Sequence, residues 1–123
     1  MPRVFAPRPD PETFLPLKPI ELLILTMLSA GERHGYGIRQ DIIEHTQGRV
    51  APEAGNLYRH LRTLQDGGLL DEVRGRTGSD DERRIHYRLL PLGRRVLAAE
   101  ILRLRALFQI AEANRIIAPA AAR

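Results

Sequence analysis

The chain has 123 residues, of which 43% are hydrophobic and 28% are charged, and its formal net charge is +4. This length predicts one compact domain of roughly 100 residues with tails and leaves no room for a second core. The absence of cysteine excludes thiol nucleophiles, thiolate metal sites and disulfides. The longest apolar run, residues 22–30, contains two hydroxyl side chains and is far shorter than the roughly 20 residues of a membrane span. No membrane partner is therefore expected.

The basic side chains are almost all arginine, with 18 Arg against one Lys. A planar guanidinium matches phosphate and guanine, so this bias favours a nucleic-acid-binding protein. Biased codon composition would produce the same pattern, and the composition does not separate the two explanations.

The N-terminal segment is rich in proline, because six of the nine prolines lie within the first 19 residues. This density disfavours helices and strand pairing, and it interrupts the apolar stretch that an export signal requires. We therefore expect residues 1–17 to form an extended, flexible arm, and we expect a cytoplasmic protein.

Three helices are predicted in the first half of the chain. Apolar residues recur at spacings of three and four over residues 19–30 and again over residues 36–47, as in helices that bury one face. The third helix is predicted from Pro52 to Asp66, with Ala51 as its N-cap and two glycines after its end.

The third predicted helix has two different faces. One face is a core face made of Leu57, Leu61 and Leu64. The opposite face consists of Gly55, Asn56, Arg59, Arg62 and Thr63. Arginine can bind guanine edges bidentately, asparagine can bind adenine in the same way, and glycine permits close approach to a backbone. The alternative is that these are ordinary solvated residues of an amphipathic helix.

Two strands are predicted over residues 69–74 and 83–89, and the second alternates Ile85, Tyr87 and Leu89 with polar residues. Because two strands alone are unstable in water, this hairpin must pack on the helices. Three helices followed by a hairpin are typical of a winged helix-turn-helix, in which the third helix enters the major groove. The predicted fold class is mainly α with a two-stranded β-wing.

Pro91 begins a long last helix, predicted to reach residue 116. Its apolar residues step by four and three, which is the spacing of a helix-pairing seam. The seam consists of Leu97, Ile101, Leu104, Phe108 and Ala111. This pattern predicts a dimer, and the alternative is that the helix folds back on its own domain.

Residues 19–112 resemble the PadR family of bacterial transcriptional regulators. The resemblance lies in His34-Gly35-Tyr36, in the Gly-Asn-Leu-Tyr-Arg-His-Leu sequence at 55–61, and in the segments 66–70, 83–89 and 91–93. It implies a dimeric winged-helix repressor that a small ligand releases from its operator. The C-terminal helix would form most of the dimer interface, as in the short-tailed branch of the family.

The predicted organisation is a Pro-rich arm (1–17), a winged-helix DNA-binding domain (18–90), a C-terminal dimerisation helix (91–116) and a tail (117–123). The predicted DNA contacts are Tyr36, Gly55, Asn56, Tyr58, Arg59, Arg62, Thr63, Arg74, Arg76, Arg83 and Arg84, with Arg3 and Arg8 on the arm as further backbone contacts. For each arginine the alternative is a solvated surface residue. Tyr58 either points its hydroxyl towards phosphate or packs in the core, and Tyr36 with His34 can instead fix the start of the second helix.

These features predict a ligand-responsive repressor that binds an inverted repeat in double-stranded DNA as a homodimer and responds to a small apolar or aromatic effector. The alternative is a winged-helix protein-protein interaction module, because residues 52–66 carry no net charge. No enzyme is expected, since the acidic cluster at 80–82 lies in a polar turn that cannot form a dry pocket. The four histidines lack metal-ligand spacing, so no metal or cofactor is expected unless a site forms across a dimer.

Overall fold

The computed structural model describes residues 9–74 and 85–118. Its elements, in chain order, are a short 3-10 helix (Pro11–Phe14), α1 (Pro19–Leu28), β1 (Arg33–His34), α2 (Gly35–His45), α3 (Ala54–Asp66), β2 (Leu70–Arg74), β3 (Ile85–Leu89) and α4 (Pro91–Ala113). The four predicted helices are all present. The tip of the predicted wing lies outside the described residues.

The strands form one antiparallel sheet with the order β1-β3-β2. The pairing of β2 with β3 runs from Leu70 opposite Leu89 to Arg74 opposite Ile85. The third strand, β1, was not predicted, and it consists of two residues paired with the outer edge of β3. A strand this short has no alternation pattern of its own, because its hydrogen bonds come from a partner far away in the sequence.

The core lies where the first three helices, the sheet and the first half of α4 meet. It contains Ile24, Leu25, Leu28, Ile38, Ile42, Leu57, Leu61, Leu64, Leu69, Leu70, Tyr87, Val96 and Leu97. Burial of these apolar side chains is the main favourable contribution to folding. Among the described residues, no buried side-chain nitrogen or oxygen lacks a hydrogen-bond partner.

The turn between α2 and α3 differs from the prediction. The third helix begins at Ala54 rather than Pro52, and its N-cap is Glu53, not Ala51. The backbone of Glu53 is extended (φ −67°, ψ 147°), and Pro52 is buried. The Nε–H of Arg39 donates a hydrogen bond of 2.7 Å to the Pro52 carbonyl. This contact fixes the turn before the helix begins, so proline is not the first helical residue here.

The segment before α1 also differs from the predicted flexible arm. Asp10 caps the 3-10 helix by accepting a hydrogen bond from the Glu12 N–H, and Phe14, Leu15 and Leu17 pack against the core. The N–H of Leu17 donates to the carboxylate of Glu100 in α4, at 2.8 Å. Prolines at this density exclude an α-helix, but they do not prevent a 3-10 turn or the packing of the apolar residues between them.

The first part of α4 packs on α1 and on the 3-10 helix, and at Gly93 it approaches Leu69, the residue before β2. A Cβ at Gly93 would overlap the Leu69 carbonyl oxygen, so glycine permits the close approach of α4 to the start of β2. Four residues of the helix are buried, namely Gly93, Val96, Leu97 and Glu100. None of the described helices is both long enough and apolar enough to span a membrane.

Candidate nucleic-acid interface

The two predicted faces of α3 are confirmed. Its leucines, Leu57, Leu61 and Leu64, are buried. On the opposite face Gly55, Arg59, Arg62 and Thr63 are exposed, and Asn56 is half-buried. The amphipathic sequence therefore presents two arginines, almost one turn apart, to the surrounding solvent.

Two histidine rings make hydrogen bonds near this surface, one as a helix cap and one between helices. At the start of α2, the Nδ1 atom of His34 accepts a hydrogen bond of 2.9 Å from the Gly37 N–H, as expected for a residue that caps the helix. In α3, the Nδ1 atom of His60 lies 2.9 Å from a carboxylate oxygen of Glu21 in α1. This contact joins α3 to α1, in addition to the packing of the buried leucines of α3 in the core.

Two tyrosines flank the start of α2. Tyr58 of α3 is 46% exposed, so it is not a core residue, and its ring lies over the backbone of Gly35. A Cβ at Gly35 would come within 2.5 Å of the Tyr58 hydroxyl, so glycine leaves room for this ring. Tyr36 is 56% exposed, and its ring is nearly parallel to that of His34, with 6.4 Å between the centroids.

A groove runs between α3 and the sheet and contains two adjoining cavities of about 540 and 450 Å³. We call it the α3–sheet groove. Both cavities are lined by Tyr58, Arg62, Glu72 and Tyr87. The first also reaches His34, Gly35, Tyr36 and Ile85, and the second reaches Gly55, Arg59, Gln65 and Asp66. The exposed face of α3 therefore forms one wall of a concave surface with aromatic and charged walls.

Tyr87 is buried and lines both cavities of this groove. Burial raises the pKa of Tyr87 above its ordinary value of 10.0, the nearby charge of Glu72 and the Tyr58 phenol raise it further, and the positive charge of Arg62 opposes them. At neutral pH the phenol keeps its proton and can donate a hydrogen bond. Glu72 and Arg62 thus affect the pKa of Tyr87 in opposite directions.

The other predicted DNA contacts are divided between described and undescribed parts of the chain. Arg74 is exposed at the end of β2. The remaining wing and arm arginines, Arg3, Arg8, Arg76, Arg83 and Arg84, lie outside the described residues. The predicted acidic cluster at 80–82 lies outside them as well.

The sequence patterns missed Glu72 and Tyr87 as groove residues. Tyr87 alternates with Ile85 and Leu89 along β3, which indicates the inner face of the sheet and nothing more specific. Glu72 stands opposite Tyr87 in the strand pairing, and only the register places it in the groove. Within the described ranges, no group of three or more His, Asp or Glu side chains is arranged to hold a metal ion.

The second half of α4 forms another exposed surface. Of the predicted seam, Ile101 and Phe108 are exposed, and Leu104 and Ala111 are half-buried. Leu97 differs, because it packs in the core of its own chain and is only 8% exposed. Further large apolar side chains of this helix are also exposed, namely Leu102, Leu107 and Ile110.

Solved structures with a similar fold are transcriptional regulators. A PadR family transcription regulator from Clostridium difficile matches with a TM-score of 0.69 at 22% identity, over 76% of this chain and 94% of that one. A transcriptional regulator from Clostridium thermocellum matches with a TM-score of 0.66 at 22% identity, over 76% and 86%. Bacillus subtilis PadR, in complex with operator DNA, matches with a TM-score of 0.60 at 23% identity, over 70% of this chain but 47% of that one. At these identities the likeness shows the fold.

The family itself is shown by sequence. No curated protein matches the chain, but the sequence model of the Transcriptional regulator PadR-like family matches residues 24–99, which is more than half of the chain. The predicted winged-helix architecture, mainly α with a β-wing and a long C-terminal helix, is confirmed by the elements and by these neighbours, although the sheet has three strands and not the predicted two. The chain therefore belongs to the PadR-like family of transcriptional regulators.

Proposed function

We propose that this protein is a sequence-specific DNA-binding repressor whose α3 helix enters the major groove of an inverted-repeat operator. The observation that carries the proposal is the exposed arginine face of α3, where Arg59 and Arg62 project from the helix while its leucines are buried. Each guanidinium can bind the O6 and N7 atoms of guanine. Bacillus subtilis PadR, which shares this fold, is described in complex with operator DNA.

In this proposal the residues around Arg59 and Arg62 have distinct roles. Gly55 leaves open space at the start of α3, so the backbone can approach the DNA closely. Asn56 is suited to adenine or phosphate, and Thr63 to either a base or the backbone. The exposed tyrosines, Tyr36 and Tyr58, and the wing and arm arginines would contact backbone phosphates.

We further propose that two copies pair through α4. In the isolated chain this helix exposes Ile101 and Phe108 together with three neighbouring large apolar residues. Burying such a surface against a second copy removes it from water. A twofold axis would place the two α3 helices about 34 Å apart, one turn of DNA, so the operator would be an inverted repeat.

The regulatory part of the proposal is a small apolar or aromatic effector bound between the α4 helices of the two copies. Such a pocket would be lined by the same exposed apolar residues, which suit a hydrophobic ligand. In this role the protein acts by binding, without catalysis, in the cytoplasmic compartment that holds the DNA. Occupation of the pocket would change the spacing of the two α3 helices and release the operator.

A protein-protein interaction module is the second candidate function. The observation that favours it is the charge of the α3 region, because over residues 52–66 Arg59 and Arg62 are balanced by Glu53 and Asp66. A neutral helix gives weak long-range attraction to DNA. A partner protein could then occupy the same groove.

Selection of bound fragments from random duplex DNA, at moderate salt, separates the two candidates. The repressor proposal predicts enrichment of a palindrome by the full chain. A variant in which Arg59 and Arg62 are both alanine should enrich no sequence. If the unaltered chain enriches nothing, the DNA-binding proposal is wrong and the interaction module is favoured.

A further inference from the structure

An acidic residue lies at the centre of the surface proposed to face DNA. Glu72 lines both cavities of the α3–sheet groove, together with Arg62 and Tyr87. It is half-buried and stands directly opposite Tyr87 in the β2–β3 pairing. Its place in the groove is therefore set by the sheet register and not by a flexible loop.

This carboxylate changes the charge of the groove. The described residues that line the two cavities include two arginines, Arg59 and Arg62, and two acids, Asp66 and Glu72, so their formal charges sum to zero. Arg62 and Glu72 are the two charged residues that line both cavities. A DNA-binding groove with this balance attracts phosphate much less than its arginines alone would.

Neutralisation affects the two kinds of DNA contact differently. The attraction of a guanidinium to phosphate is an interaction between charges, so a nearby carboxylate cancels much of it. A bidentate contact to guanine depends on two correctly directed N–H donors and neutral acceptors. A guanidinium keeps donors for guanine even when a carboxylate stands beside it, because it has five.

We propose that Glu72 is a specificity-determining residue that offsets the charge of Arg62 in the α3–sheet groove and so favours guanine over phosphate as the partner of Arg62. This inference rests on the proposed DNA-binding function. In this role Glu72 lowers the affinity for DNA of unrelated sequence. That affinity is electrostatic and does not depend on the base sequence.

The test compares the dissociation constants for the selected palindrome and for a scrambled duplex of the same length. Glu72→Gln keeps the shape of the side chain and removes its charge. We expect about fivefold tighter binding to the scrambled duplex, which corresponds to one screened charge pair, and a smaller change for the palindrome. The slope of log K against log salt for the scrambled duplex should steepen by up to about 0.9, the contribution of one phosphate.

Asp71→Asn is the matched control, because it removes one negative charge from the neighbouring residue of the same strand. Asp71 pairs with Arg88 at 3.2 Å, and Arg88 lines a different cavity with residues of α1 and α4. Asp71 therefore lies on the other face of the sheet. We expect Asp71→Asn to leave the ratio of the two dissociation constants unchanged. If both variants change the ratio equally, the overall charge of the protein explains the effect and the proposal is wrong.

Arg62→Ala supplies the second comparison. If Glu72 acts on Arg62, Glu72→Gln should no longer change the ratio when Arg62 is already alanine. The inference about Glu72 is overturned if Glu72→Gln still changes the ratio in the Arg62→Ala background, or if it does not change the ratio in the unaltered chain. In either case the proposed DNA-binding function stands as long as the chain binds the palindrome. Failure of the unaltered chain to enrich a palindrome overturns both.

Folding is checked by thermal unfolding of each variant, with Glu72→Ala as a second substitution. If either Glu72 variant unfolds as the parent does, its affinity ratio decides the question. If both lose the cooperative transition, Glu72 is a structural residue and the proposal is wrong.

Discussion

The helices α3 and α4 differ in what their exposed sides carry. In α3, with 13 residues, the leucines are buried within the single chain and the outward face is polar. In α4, with 23 residues, only positions up to Glu100 are buried. Beyond that point large apolar side chains face solvent, with Phe108 42% and Ile110 57% exposed. The outward face of α3 is therefore polar, whereas the outward face of the second half of α4 is apolar.

The two faces therefore suit partners of different chemistry. A polar helix face with two arginines matches a nucleic acid, whose surface is charged and rich in acceptors. The second half of α4 extends beyond the core of the domain, and its apolar face matches another apolar surface. Substitutions in α3 and in α4 should therefore impair different interactions.

The largest effect is expected on the polar face of α3. Changing Arg59 and Arg62 together to alanine should weaken binding to the selected palindrome by about 4 kcal/mol, roughly 1,000-fold, because two bidentate base contacts are lost. Fluorescence anisotropy with labelled duplex measures the change. Arg94→Ala with Arg95→Ala is the matched control, since these two arginines are exposed on the first part of α4. An equal loss in the control would show that α3 is not the reading surface.

The next effect is expected where α4 meets the sheet. Gly93→Ala should lower the free energy of unfolding by about 3 kcal/mol, because the new Cβ would overlap the Leu69 carbonyl oxygen. Gly55→Ala is the control in α3, where a Cβ meets nothing within 4 Å, and it should raise stability by up to about 1 kcal/mol. Urea unfolding measures both. Similar results for the two variants would contradict the close approach of α4.

A smaller effect is expected on the apolar face of α4. Phe108→Asp should weaken dimerisation by about 2 kcal/mol, or roughly 30-fold, because a charge would be buried at the interface. The fold should persist, because Phe108 is exposed in the single chain. Light scattering across a dilution series gives the dimer fraction. Gln109→Asp, exposed on another side of the helix, should leave the dimer intact. An intact dimer in Phe108→Asp would place the interface elsewhere.

The smallest effect is expected at Glu100, which is 1% exposed and joins α4 to the segment before α1. The hydrogen bond from Arg103 lowers the pKa of Glu100 below its ordinary value of 4.5, burial opposes this, and the Leu17 N–H lowers it further. Because the folded pKa is lowered, the ionised group stabilises the fold above about pH 4.5, and this contribution is lost as the pH falls through the folded value.

Glu100→Gln should therefore lower the free energy of unfolding at neutral pH. The further decrease in that free energy as the pH falls should be smaller than in the parent. Thermal unfolding from neutral pH to about pH 3 measures both effects. Glu44→Gln, which removes an exposed carboxylate of α2, is the control and should retain the slope of the parent. A parent-like slope in Glu100→Gln would show that this contact does not contribute to the pH dependence.

Local sequence patterns were sufficient to predict the helices. The spacing of Leu57, Leu61 and Leu64 determines which side of α3 is buried, because a helix repeats every 3.6 residues. The same reasoning predicted α4 but assigned Leu97 to the dimer seam. Periodicity shows which side of a helix is apolar, but it does not show where the chain's own core ends.

The features that the patterns missed depend on contacts between distant residues. The strand β1 exists because Arg33 pairs with Tyr87, and the segment before α1 is held by Glu100, 83 positions beyond Leu17. The place of Glu72 in the groove follows from strand register. Register and long-range hydrogen bonds are properties of the folded chain, so no local window of sequence contains them.

Whether α3 enters the major groove can be measured by methylation interference at guanine N7 on the selected palindrome. We expect two sets of sensitive guanines, about 10 base pairs apart from centre to centre, whose methylation weakens binding by the unaltered chain. Both sets should lose their effect when Arg59 and Arg62 are alanine. Binding that is indifferent to guanine methylation, or equally sensitive with and without the two arginines, would contradict the assignment of α3 as the helix that reads DNA.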